Sequence, residues 1–259
     1  MPAQPSERSG KSFAELDNGG AAAVARVVPL VEEAIPAILP VRAIEVSKIY
    51  SSGGVAVRAL EDVSLEVRAG EMVAIVGPSG CGKSTLLNLI GCIDLPTAGR
   101  IFVDGQETHA LDDDALTALR RNRVGTVFQF FNLLPAMTVA GNVALPLILQ
   151  HCARREIEGR VAAALAAVGI AEKAEAYPAQ LSGGQTQRAA LARAVIHRPA
   201  IVLADEPTGN LDSQNGANVL KLLRNVAGAG QAILLATHSL EAAAACDRVI
   251  RMQDGCIIA

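Results

Sequence analysis

MVAIVGPSGCGKST, residues 72–85, runs from a continuous apolar stretch into a glycine loop and on into the start of a helix. Gly77, Pro78, Ser79, Gly80, Cys81, Gly82, Lys83 and Ser84 satisfy the pattern G-x-x-x-x-G-K-S/T in full, and Thr85 extends it. The residue types follow from the chemistry: glycines let backbone N–H groups wrap phosphate oxygens, the lysine reaches the outer phosphates, and the serine hydroxyl is placed to ligate Mg²⁺. A buried strand that delivers such a loop to a helix N-terminus predicts an α/β fold with a parallel sheet, and a nucleoside triphosphate as ligand.

Three further short apolar runs repeat the theme of buried parallel strands: RVGTVFQ (123–129), AIVLADE (200–206) and AILLATHS (232–239). Each ends on a polar side chain. Asp205 suits Mg²⁺, held through its water shell, and Glu206, next along, can polarise an attacking water. Gln129 can offer a neutral oxygen to Mg²⁺ or to water, and His238 faces the same edge. In open α/β sheets ligands gather outside the carboxyl ends of the strands, so the shared placement of these four residues is the signal, more than any one of them.

The rest of the chain falls around that sheet. VRAIEVSKIY (41–50) and VRALEDVSLEV (57–67) alternate with period two and read as strands. LDDDALTALRR (111–121) reads as a helix with acids at its start and arginines at its end, which complements the helix dipole. RREIEGRVAAALAAVG (154–169) is a second helix, followed by a short helix broken at Pro178, and the span from about 130 to 197 is mainly helical. RVIRMQDGCII (248–258) closes the chain as a hairpin around an Asp-Gly turn. Residues 1–40, rich in Ala, Pro, Ser and Gly, are expected to form a mobile or loosely docked extension ahead of a domain spanning 41–259.

The 259 residues are 51% hydrophobic and 19% charged with a net charge of −3, which fits a globular chain and argues against a nucleic-acid backbone as the main partner. Cys81, Cys92, Cys152, Cys246 and Cys256 form no CxxC pair, so neither a disulfide framework nor a zinc site is expected. The longest apolar runs stop short of the roughly 18 residues a membrane span needs. Acids at Glu7, Glu15 and Asp17 contradict the basic start of a secretory signal, and cytoplasmic residence is expected.

LSGGQTQRAALARAVIHRP (181–199) raises a separate question. Leu181, Ser182, Gly183, Gly184 and Gln185 lead into an alanine-rich helix, and their N–H groups and hydroxyl suit an anion, yet no lysine stands beside them. A helix dipole contributes only about 0.3 to 2 kcal/mol. This turn can complete a phosphate site whose other wall supplies the charge, but cannot hold a nucleotide by itself.

Together these motifs resemble the nucleotide-binding subunit of an ATP-binding cassette (ABC) transporter, over about residues 43–258. GPSGCGKST resembles the Walker A loop, Gln129 the Q-loop, LSGGQ the signature, ADEP the Walker B strand end, GNLD with Leu211 and Asp212 the D-loop, and His238 the switch histidine. The resemblance implies a P-loop core with an antiparallel β subdomain and a helical signature subdomain. It also implies ATP and Mg²⁺ as ligands, with Ser84, Gln129 and Asp205 toward the metal, Glu206 as base, His238 at the γ-phosphate and Tyr50 stacked on adenine.

In such proteins two subunits pair head to tail, the signature of one closing over the nucleotide of the other, with Asp212 reaching across. A transmembrane permease docks by a coupling helix on the region after Gln129, which sets the subunit on the cytoplasmic face of the inner membrane. IGCIDLPTAGRI, FNLLPAMTVAGNVALPL and DEPTGNLDS resemble the branch that drives lipoprotein release and macrolide or peptide efflux, with a cell-division relative that signals mechanically as the alternative role. Gly141 and Thr186 depart from that branch, which favours Glu and Gln or Glu there. A chromosome-organising ABC ATPase would need a long coiled-coil insertion, and a P-loop kinase would leave LSGGQ and His238 without a task. Cys81 has two readings, a thiol activated by helix-N-terminal amides or a small space-filler.

Overall fold

The computed structural model describes residues 38–52 and 55–258, so all but the last three residues of the expected extension lie outside the described residues. Two long strands rich in β-branched residues, β1 (Val41–Ser52) and β2 (Val55–Val67), pair antiparallel with Val41 opposite Val67 and Tyr50 opposite Val57. Their alternation is not a plain period two. Buried positions run Val41, Ala43, Val46 on β1 and Leu60, Val63, Leu65, Val67 on β2, and the odd steps fall at Glu45 and Asp62, whose φ values are 49° and 51°. A bulge at each site resets which face turns inward, and the left-handed backbone takes up the extra residue.

The chain then crosses to a second sheet through β3 (Met72–Val76), followed by α1 (Lys83–Ile90). It returns to the first sheet for β4 (Ala98–Val103) and the short β5 (Gln106–Glu107), giving the order β2-β1-β4-β5. Next come α2 (Asp113–Arg123) and β6 (Val124–Val127). Asp112 caps α2 by accepting from the Ala115 N–H at 2.8 Å.

The helical stretch holds α3 (Val139–Leu149), α4 (Arg154–Ala167) and α5 (Gly183–Val195). The helix expected around Pro178 is instead two separate 3-10 turns, Ala171–Lys173 and Pro178–Gln180. Pro178 forces Tyr177 into an extended conformation, with φ −91° and ψ 156°, and an α-helix cannot run through it. After β7 (Ile201–Asp205) the chain runs through α6 (Ser213–Gly228), β8 (Ala232–Thr237) and α7 (Leu240–Ala244) to the closing hairpin, β9 (Arg248–Gln253) with β10 (Cys256–Ile257).

The second sheet has the order β10-β9-β3-β8-β7-β6, with every pairing parallel except the final hairpin. Its central strands are aliphatic and buried because helices cover one face and the antiparallel sheet the other. One apolar cluster joins the two sheets around α1, through Leu86, Leu89 and Ile90 with Ile75, Leu203, Val46 and Ile101. A second packs α5 and α6 on the opposite face, with Leu191, Val219 and Leu223 against Val202 and Ile233. A third lies among α3, α4 and α5, with Val143, Leu147, Val161, Leu165 and Ala192. α5 feeds two clusters at once, and its alanines let both neighbours approach closely.

Candidate nucleotide site

β3, β7 and β8 lie side by side and parallel, so their carboxyl ends share one edge. The glycine loop leaves β3 there. Gly82 sits at φ 104°, and a Cβ on it would stand 2.6 Å from the Ala59 carbonyl oxygen and 2.8 Å from Leu60, so only glycine fits. Lys83 is buried, with its ammonium donating to the Gly77 and Pro78 carbonyls at 2.7 and 2.9 Å. Gly82 offers no side-chain cap, which leaves the first N–H groups of α1 open toward a ligand. Cys81 is only 3% exposed and belongs to the cluster around α1, which favours the space-filling reading of its thiol over the reactive one.

The next strand end splits two adjacent acids between two tasks. Asp205 Oδ2 accepts from the Ser84 hydroxyl at 2.7 Å, bringing the two expected magnesium-side groups together. Glu206 turns the other way, and its backbone is left-handed at φ 46°, a conformation that costs a non-glycine residue about 1 to 3 kcal/mol. Its N–H still donates to the Ala236 carbonyl at 2.9 Å, so the sheet ladder runs to the last possible residue. Its carboxylate reaches β8, with Oε1 2.8 Å from His238 Nδ1 and Oε2 accepting from the Thr237 hydroxyl at 3.2 Å. The His238 side chain is 72% exposed and that of Glu206 14%, so the histidine is free to meet a ligand while the acid stays sheltered.

Gln129, just past β6, is brought to a different neighbour. Its carbonyl accepts from Asn210 at 3.0 Å and its amide nitrogen lies against Gly209, while no described hydrogen bond joins it to Ser84 or Asp205. Asp212 caps α6, and hydrogen bonds from the Asn215 N–H at 2.9 Å and amide at 2.6 Å hold its carboxyl below the ordinary range. The Ser182 turn packs on this same segment. A Cβ on Gly184 would collide with the Asn215 side chain, and Gly183 faces Leu211 and Asn210.

Ser182 and Gln185 form a reciprocal capping box, in which the Ser182 oxygen accepts from the Gln185 N–H at 3.3 Å and the Gln185 side chain accepts from the Ser182 N–H at 3.0 Å. A hydroxyl that accepts still has its own proton to donate. Thr186 donates to the Ser182 carbonyl at 2.9 Å.

Tyr50 lies where β1 has run past its last pairing with β4, at Ser47, and keeps only β2 as a neighbour. Its ring is 40% exposed and its hydroxyl donates to Asp94 at 2.9 Å. Asp94, Lys48, Thr237 and Asn215 were not singled out in the sequence. Thr237 had the clearest signal, a hydroxyl ending an otherwise aliphatic buried strand.

Beyond Gln129 a groove is lined by the apolar Phe128, Leu145, Pro146 and Leu149 together with Arg120 and Arg193. Phe131 and Asn132, beside it, are both left-handed at φ 64° and 49°. Arg193 of α5 holds them by donating to their carbonyls at 3.0 and 2.6 Å.

A sheet of this order, with a phosphate loop at its carboxyl edge and two acids at the next strand end but one, defines the P-loop class of nucleoside-triphosphate hydrolases. The family model described as ABC transporter matches residues 60–209, over half of the chain. The chain belongs to the ABC transporter family, as an ATP-binding cassette of the branch holding the lipoprotein-releasing and macrolide-export proteins.

It is 47% identical over 215 residues to the lipoprotein-releasing system ATP-binding protein LolD of Bordetella avium, covering 83% of this chain and 94% of that one. With the macrolide export ATP-binding/permease protein MacB of Brucella melitensis it shares 44% over 218 residues, which is 84% of this chain and 34% of that protein. The chain thus spans about a third of the length of the macrolide-export relatives it matches. The dimeric post-hydrolysis structure of the ATP-binding cassette MJ0796 bound to ADP and Pi superposes with a TM-score of 0.79 at 42% identity, over 85% of this chain and 97% of that one. The protein of that name comes from Methanocaldococcus jannaschii.

Proposed function

We propose that two copies of this chain close head to tail around two ATP molecules, and that the pair drives a separate membrane permease of the extrusion type from the cytoplasmic face. The observation that carries this reading is the division of the phosphate-binding groups. Lys83, the Ser84–Asp205 pair and the Glu206–His238 pair gather at one sheet edge. The Ser182 turn sits instead on Asn210, Leu211 and Asn215 and has no lysine beside it; the Arg188 guanidinium is spent on the Gly184 carbonyl at 3.3 Å and the Val168 and Gly169 carbonyls at 3.2 and 3.0 Å. A second subunit supplies what it lacks.

In this site the α1 N–H groups and Lys83 bind the phosphates, and the free proton of Ser182 from the partner donates to the γ-phosphate. Glu206 takes a proton from the attacking water, and its bonds to Thr237 and the His238 N–H orient the carboxylate for that transfer. His238 donates to the γ-phosphate, and Tyr50 stacks on the base. Ser84 and Asp205, a hydroxyl and a carboxylate 2.7 Å apart, are hard oxygen donors that fit Mg²⁺, with Gln129 as a further oxygen. When bound, that ion supplies charge neutralisation at the β- and γ-phosphates.

The apolar groove beside Gln129 offers the permease a seat, and no helix among the described residues is long and apolar enough to cross a membrane itself. The assignment to an extrusion system follows from likeness to a lipoprotein-releasing protein and a macrolide export protein. The test is Glu206→Gln with MgATP. Hydrolysis should fall by about 100-fold or more while sizing chromatography shows a nucleotide-dependent dimer. Full turnover in that variant would overturn the base assignment, and a mass unchanged by MgATP would overturn the pairing.

A further inference from the structure

Three side chains converge on Tyr50 from different parts of the chain. Lys48, two residues earlier on the same face of β1, places its ammonium 4.9 Å from the ring centroid, a cation–π distance. The same ammonium donates to Asp94 Oδ1 at 2.6 Å and to the Leu95 carbonyl at 2.7 Å. Asp94 accepts the phenol proton through Oδ2 at 2.9 Å, and Thr85, at the end of the phosphate loop, is a further polar neighbour of the phenol oxygen. Partial burial pushes the Asp94 carboxyl up, but the bonds from Lys48, the Leu95 N–H and Tyr50 outweigh it and hold the group below its usual range.

This cluster is tied to the phosphate loop by covalent geometry. Asp94 stands in the turn after α1, and the Ile93 and Asp94 N–H groups donate back to the Asn88 carbonyl at 2.9 and 3.4 Å. The other end of α1 is the phosphate loop itself. An exposed tyrosine at the end of a two-stranded stretch would otherwise sweep freely about its side-chain torsions. Here the hydroxyl is held by the turn after α1, the Lys48 ammonium lies over the ring, and the residue stays 40% exposed. Preorganisation of that kind improves binding by removing an ordering cost.

We infer that Asp94, with Lys48 behind it, is a positioning residue that fixes the plane of Tyr50 relative to the phosphate loop and so sets how well a flat nucleobase stacks there. The inference rests on the reading of Tyr50 as the platform for the base. It predicts that Asp94 affects the base half of the nucleotide and not the phosphate half.

The test compares MgATP with magnesium tripolyphosphate, which has the phosphates and no base, by calorimetry on the full chain. Tyr50→Phe and Asp94→Ala should each raise the dissociation constant for MgATP by about three- to ten-fold. Both should leave tripolyphosphate binding unchanged, and the double variant should lose no more than either alone. Equal weakening of both ligands by Asp94→Ala, or fully additive losses, would overturn the positioning role. If Tyr50→Ala weakens MgATP alone while Asp94→Ala and Tyr50→Phe do not, the platform stands and the inference about Asp94 falls. If Tyr50→Ala changes neither ligand, the platform reading falls and takes the inference with it.

Discussion

Two serine- and glycine-bearing turns open two helices of this protein, and they are built in opposite ways. At α1 the capping position is Gly82, left-handed and pressed against the Ala59 carbonyl, with no side chain to satisfy the amides and with a buried lysine one residue on. At α5 the capping position is Ser182, whose box with Gln185 already satisfies two of the amides, on an exposed turn without a lysine. The first is an incomplete helix end that a phosphate would complete, with the charge to hold it. The second is a finished helix end with one spare hydroxyl proton. A turn of the first kind binds by itself, and one of the second kind adds only to something already bound.

The comparison is broken most severely in a mixed dimer of Ser182→Asp with Lys83→Ala, each carrying Glu206→Gln to retain nucleotide. Aspartate caps a helix as well as serine does, so α5 persists while its anion site becomes repulsive. If the two turns serve one nucleotide from opposite subunits, one site is intact and the dimer retains one ATP. If they serve it from the same subunit, both sites are damaged, one by the aspartate and one by the lost lysine, and equilibrium dialysis will find no site of full affinity.

The two glycines give a smaller contrast. At Gly82 an added Cβ meets backbone and demands a φ of 104°, whereas at Gly184 it meets the Asn215 side chain, which can turn aside by giving up its bond to Asp212. Gly184→Ala should cost about 1 to 3 kcal/mol in denaturant unfolding, and Gly82→Ala more. Adding Asn215→Ala should recover part of the Gly184→Ala loss; no recovery would mean the glycine is required for some other reason.

The smallest effect lies just beyond the far end of α5. His197 donates its Nε2–H to the Val124 carbonyl at 3.1 Å, its other ring nitrogen is buried without a partner among the described residues, and burial, aided by the nearby Arg160 charge, lowers its pKa. A folded-state value below the unfolded one means the unfolded chain binds the proton more readily. The stability contributed by the neutral ring is therefore present above about pH 6.5 and lost as pH falls through the folded value. His197→Gln should flatten the decline in thermal midpoint between neutral and mildly acid pH relative to the unmodified chain. An unchanged slope would remove His197 from the acid response.

Most of the α1 end was legible because each of its signals is local: a run of aliphatic residues makes a buried strand, and the loop pattern follows without a gap. The end of α5 was equally legible as a helix start. What escaped were features whose partners lie far off in sequence or whose backbone departs from the regular. Lys48 and Asp94 are 46 residues apart, and nothing near either announces the other. AGRIFV, which forms β4, is short and begins with Ala-Gly, so its apolar signal is weak. The turn of Glu206 away from Asp205 depends on a φ of 46° that no residue pattern encodes, and the bulges at Glu45 and Asp62 are of the same kind.

Arg193 joins the two regions that this comparison keeps apart. Burial lowers the pKa of its guanidinium, and its partners are the carbonyls of Phe131 and Asn132, in the strained loop directly after Gln129. Were that loop to shift by itself, it would strand a half-buried cation and lose two charge-assisted hydrogen bonds, about 1.5 to 3 kcal/mol each. Loop and helix are therefore fastened at one rivet: the segment beside Gln129 is pinned to the same helix that Ser182 opens, three turns away.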